Sequence, residues 1–132
     1  MIHDAMLSLP PAWLLRCAVS AVWLYEGVWC KLLGRGPGQL AVVRAVPFLG
    51  ERWSAHFLRA LGAFEAALGL WVLSGFTPGL AAITQTAVLV SLNSGGIFWA
   101  RDRIHDPAGM VVKNACFLLL AWVVAVLQQG TL

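Results

Sequence analysis

Between Ala60 and Ala100 the chain carries a single charged side chain, Glu65. The stretch reads as two apolar helices, about His56 to Ser74 and Pro78 to Ala100, joined by the turn Ser74-Gly75-Phe76-Thr77-Pro78-Gly79. Each has about 20 residues, and at ~1.5 Å rise per residue such a helix matches a ~30 Å hydrocarbon layer. The pattern predicts a membrane hairpin with one carboxyl group inside it. Around Glu65, the residues Gly62, Ala66 and Gly69 recur on one helical face. Small residues mark the side where another helix approaches closely. Glu65 is therefore expected to point toward other helices and away from lipid.

The rest of the chain fits the same solvent. Of its 132 residues 60% are hydrophobic and 11% charged, whereas a soluble domain averages about 25% charged. A soluble helical bundle would also show polar outer stripes, and the long segments here are apolar nearly all round. The expectation is one all-α domain over residues 1–132, a bundle of four transmembrane helices. The spans fall at about residues 12–33, 56–74, 78–100 and 108–127. A net charge of +3 raises nucleic acid as a partner, but the bases flank apolar spans and form no patch with interleaved aromatics. A lipid surface accounts for them better.

Pro10-Pro11 opens the first span, where a missing N–H costs no hydrogen bond, and Gly34-Arg35-Gly36-Pro37-Gly38 ends it. The residues before it lack a basic n-region and include Asp4, and Arg16 interrupts the apolar run that follows, so no signal peptide is expected. Gln39 to Arg52 is too short and too interrupted to span, and reads as an interfacial segment between helices 1 and 2. Gly95-Gly96 is either a close-packing point or a local break in the third span. Asp106 is placed to cap the last helix, with Pro107 at its first position.

Orientation follows from the bases. Lys31, Arg35, Arg44, Arg52, Arg59, Arg101, Arg103 and Lys113 belong to the first and third loops and their flanks, leaving Arg16 on the other side. The positive-inside rule puts those two loops in the cytoplasm and both termini outside, in a bacterial cytoplasmic (inner) membrane.

Counting at ~1.5 Å per residue from the cytoplasmic loops, Glu26 lies ~10–12 Å deep, Arg59 ~6 Å, Asn93 ~10 Å, Lys113 and Asn114 ~9–10 Å and Glu65 ~15 Å. Every span thus adds a polar group to one layer. Buried charges in lipid are expensive unless paired, so Glu26 or Glu65 is expected to partner Arg59 or Lys113. Such a layer either fixes helix register or forms a polar pocket for the head of a lipid-soluble molecule or for protons.

Dedicated chemistry is harder to find. His3, His56 and His105 fall in terminal or loop positions, and no spacing matches a zinc, haem or Fe–S site. Cys17, Cys30 and Cys116 form no CxxC pair. No hydrolase signature is present. No catalytic residue and no metal site is assigned. The seven tryptophans mostly fall where an aromatic belt is expected.

Three motifs carry a resemblance. They are Tyr25-Glu26-Gly27 with Lys31, Leu61-Gly62-Ala63-Phe64-Glu65 with Gly69, and Asp106-Pro107 followed by Lys113-Asn114. In order and spacing, from about Leu24 to Ala125, the chain resembles the DoxX-like family of small four-helix membrane proteins. That resemblance implies a redox setting, because the family takes its name from a subunit of a membrane thiosulfate:quinone oxidoreductase. Relatives occur beside or fused to redox proteins, including nicotinamide-binding domains. Some in the wider superfamily are linked to disulfide formation, a role that no cysteine pair here supports.

Two functions are expected on this basis. One is an accessory membrane subunit of a redox or electron-transfer complex, docked on other membrane subunits and lacking its own catalytic centre and cofactor motif. The alternative is a membrane protein binding a quinone- or lipid-like small molecule in a polar pocket of the cytoplasmic half.

Overall fold

The computed structural model describes residues 7–129. His3 and Asp4 lie outside the described residues. All regular structure among the described residues is helical. Helix α1 spans Ala12–Leu24 and passes without a break into a π-helical stretch, Tyr25–Leu32. A short α2 covers Gln39–Arg44, and three long helices follow: α3 Gly50–Ser74, α4 Pro78–Ala100 and α5 Pro107–Gln129. These three are each long and apolar enough to cross a bilayer.

The interfacial segment is shorter than the sequence suggests. Residues 50–55 belong to α3, which starts six residues before the expected boundary at His56. A helix makes its own backbone hydrogen bonds, so Glu51 and Arg52 can extend it past the apolar run. Glu51 in the first turn also favours the helix dipole and pairs with Arg44 at 3.3 Å, tying α2 to α3. Ser54 is buried and donates to the Gly50 carbonyl.

The turn between α3 and α4 is stitched by side chains. Gly75 ends α3 at φ 72°, a left-handed cap that suits glycine. Ser74 Oγ donates to Trp71 O at 2.6 Å and accepts from the Phe76 N–H, while Trp71 Nε1 donates to Phe76 O at 2.9 Å. Pro78 then opens α4. That helix runs unbroken through Gly95-Gly96, so the glycine pair is no helix break. At the start of α5, Asp106 Oδ1 accepts from the Gly109 N–H at 3.0 Å, the cap expected there.

Helix α1 and its π-helical extension lie along α3, and α4 lies along α5; lighter contacts of α1 with α5 and of α3 with α4 join the two pairs. Near the α3–α4 turn the packing is solid, around Val19, Trp23, Leu68, Val72, Ala81, Ala121 and Val124. Trp23 is core and not part of an aromatic belt. It is 2% exposed, its Nε1 donates to Gln85 Oε1 at 2.8 Å, and its ring meets Phe117 edge-on. At the opposite end, beside α2 and the loop at residues 101–106, the helices leave a space between them.

Candidate site: a charged triad in a cavity between the helices

The organising contact is between α3 and the π-helical stretch. Gly27 and Gly62 face each other so closely that a Cβ on Gly62 would stand 2.7 Å from the Gly27 carbonyl oxygen, and one on Gly27 2.6 Å from the Gly62 oxygen. Two helix backbones meet at this distance only where neither carries a side chain. About two turns along, Ser20 Oγ donates to Gly69 O at 2.7 Å. The small residues flanking Glu65 are thus the α1-facing side of α3.

The π-helical geometry decides which charges meet there. At 3.6 residues per turn, residues five apart are rotated by about 140°. Bonds of the i→i+5 type, as in Leu33 N–H to Val28 O at 2.9 Å, widen the turn and bring such residues toward one face. Glu26 and Lys31 are five apart, and both turn to α3. Lys31 Nζ sits 2.7 Å from Glu65 Oε1 and 3.4 Å from Glu26 Oε2. Gln39 Nε2, at the start of α2, donates to the same Glu26 oxygen at 3.3 Å. Lys31 and Glu65 are buried, with side chains 8% and 3% exposed, whereas the Glu26 side chain is 39% exposed.

This corrects the expected pairing. Arg59 and Lys113 do not neutralise Glu65: both are on the outer surface and neither makes an ion pair among the described residues. Counting depth gave each a level but not a direction around its helix. Lys31 does the work instead. Charge placement alone assigns it to a loop flank, although it accompanies the Tyr25-Glu26-Gly27 motif, the sequence signal that points to it.

Asn93 and Asn114 do come together. Asn114 Nδ2 donates to Asn93 Oδ1 at 3.0 Å, and Asn93 Nδ2 returns to its own helix at Leu89 O, 2.8 Å away. Of the six residues expected to form one polar layer, Glu26, Glu65, Asn93 and Asn114 line a common space.

That space is a half-open cavity of about 580 Å³, lined by residues of α1, the π-helical stretch, α3, α4 and α5 and by the segment from Pro37 to Leu49. Glu26, Lys31 and Glu65 form a charged pole on one side, and Asn93 and Asn114 a neutral polar pair on the other. Most of the remaining wall is apolar, including Val43, Leu58, Leu61, Leu92 and Phe117. Phe48 and Trp99, in edge-to-face contact at 5.4 Å, and the exposed Arg103 and His105 line it nearer solvent. Arg103 is held by Asp102 at 3.7 Å and by the Ala41 carbonyl. An apolar enclosure with a few convergent polar groups has the general form of a small-molecule site. The three cysteines are free; Cys30 is buried and Cys17 and Cys116 lie on the surface.

No curated protein and no solved structure matches the sequence. A family profile described as the DoxX-like family matches residues 20–122, a span that contains the glycine crossing, the charged triad and both asparagines. The chain belongs to the DoxX-like family, and three of its helices have the length and apolarity of membrane-spanning segments.

Proposed function

We propose that this protein is a four-span membrane protein that holds a small lipid-soluble molecule in the cavity between its helices. The first span would be α1 with its π-helical extension, whose 13 and eight residues together approach the ~30 Å hydrocarbon thickness. The observation that carries the reading is the cavity of about 580 Å³, with a buried ion pair at one pole and apolar walls. Buried charges in a membrane protein are costly and mark ligand or ion sites by default. A quinone- or lipid-like molecule, polar at the head and apolar along its body, matches such a lining.

The positive-inside arrangement supports an orientation with the cavity in the cytoplasmic half and both termini outside. The accessory-subunit role is compatible with this. The chain would hold the molecule while a partner in the same membrane supplies the redox centre.

The test is gentle purification of the wild type and of Leu61→Trp, which puts an indole into the cavity, followed by mass spectrometry of bound small molecules. One class of molecule retained by the wild type and lost from the variant supports the reading. Equal retention by both, or none by either, overturns it. Other membrane subunits that co-purify with both forms would favour docking as the main role.

A further inference from the structure

The charged pole has a chemistry of its own, which narrows the class of molecule it can take. Two carboxylates share one ammonium, so with both ionised the triad carries a net negative charge. Glu65 holds Lys31 at 2.7 Å and the pair is buried. Glu26 is the member left open. Its two donors, Lys31 at 3.4 Å and Gln39 at 3.3 Å, both reach Oε2, and no donor among the described residues reaches Oε1. A carboxylate accepts hydrogen bonds and donates none. Glu26 lines the cavity, and what Oε1 can take is a donor. The only other cations lining the space are Arg103, tied to Asp102 and Ala41, and His105, when protonated, both exposed.

We infer that Glu26 receives the protonated amine of a lipophilic ammonium compound whose apolar body lies along the cavity wall, with Lys31 and Glu65 as positioning residues. The inference rests on the cavity being a ligand site. An ammonium head both donates to Oε1 and balances the triad's charge. A hydroxyl head only donates. A ketone or quinone carbonyl does neither; it can only accept from the third N–H of Lys31, which leaves Oε1 unbonded and the triad's charge unbalanced. Asn114 does not reverse the order, because an amide both donates and accepts.

The experiment titrates the full-length protein in nanodiscs with three probes of equal chain length: decylamine, decanol and 2-decanone. Binding is read by calorimetry, with empty nanodiscs subtracted for partitioning. The expected order is amine, then alcohol, then ketone, the amine ahead of the ketone by about tenfold or more, as for a charge-assisted hydrogen bond. Glu26→Gln keeps the side chain's size and an acceptor for Lys31, and should remove that margin while leaving ketone binding in place. A ketone that binds the wild type as tightly as the amine overturns the inference, as does an amine preference that survives in Glu26→Gln. Leu61→Trp separates the two levels. If it leaves all three probes bound as before, or if none binds the wild type, the cavity reading fails and the inference with it. If it excludes all three while Glu26→Gln leaves the amine margin unchanged, the cavity stands and the assignment to Glu26 falls.

Discussion

Lys31 and Glu65 meet at 2.7 Å across the contact between the π-helical stretch and α3, directly beside the point where Gly27 and Gly62 bring the two backbones together. The glycines set the distance and the ion pair occupies it. Both side chains are buried, at 8% and 3% exposed, so each depends on the other for most of its compensation. Each makes the other tolerable.

Removing the base alone should therefore be far worse than removing both partners. Lys31→Met alone is expected to cost about 3–5 kcal/mol, because Glu65 is left buried without its base; Glu65→Leu should cost less, since Lys31 keeps Glu26 at 3.4 Å. The double variant should recover more than half of the Lys31→Met loss. Reversible unfolding in mixed micelles measures it, and a Lys31→Met variant within about 1 kcal/mol of wild type would contradict it.

The glycine crossing makes a second prediction. A methyl on Gly62 meets backbone and the Lys31 Cβ at 2.7 Å, atoms that cannot swing away. Gly62→Ala should cost about 1–3 kcal/mol, the usual range for overpacking. Gly95→Ala is the control, since its methyl would touch only the Trp99 ring, at 3.6 Å and farther. The same unfolding assay should find it neutral or slightly stabilising, as glycine inside a helix is unfavourable relative to alanine.

Arg59 and Lys113 should matter little to the fold. Both lie on the outer surface, where a long basic side chain reaches the interface while its stem stays against apolar surface. Arg59→Gln and Lys113→Gln are each expected to stay within about 0.5 kcal/mol of wild type. A loss several times larger for either would mean that it neutralises a buried acid after all.

The proposed orientation can be read by labelling. In a cysteine-free background, Thr77→Cys in the α3–α4 turn should react with an impermeant maleimide from outside intact cells. His105→Cys in the loop before α5 should react only after permeabilisation. Labelling of both from the same side would rule out the proposed topology.

The helices themselves were legible in one dimension. The apolar runs, the Ser74–Gly79 turn and the Asp106 cap all follow from local chemistry, and so does the side of α3 that receives another helix, because small residues such as Gly62 and Gly69 let a backbone approach. These features need only neighbours along the chain. The partner of Glu65 was not legible, because depth counted along an ideal α-helix says nothing of direction around it. The turn from α to π geometry at Tyr25–Leu32 shifts that direction for Glu26 and Lys31. By itself the sequence determined that the chain is helical, apolar enough for a membrane, and holds carboxylates among close-packed helices. Only the tertiary structure decided that Lys31 neutralises Glu65, that Arg59 and Lys113 face outward, and that Glu26 lines a cavity with one oxygen unbonded among the described residues. Those outcomes depend on how two helices rotate against each other, which is settled by the packing of whole surfaces.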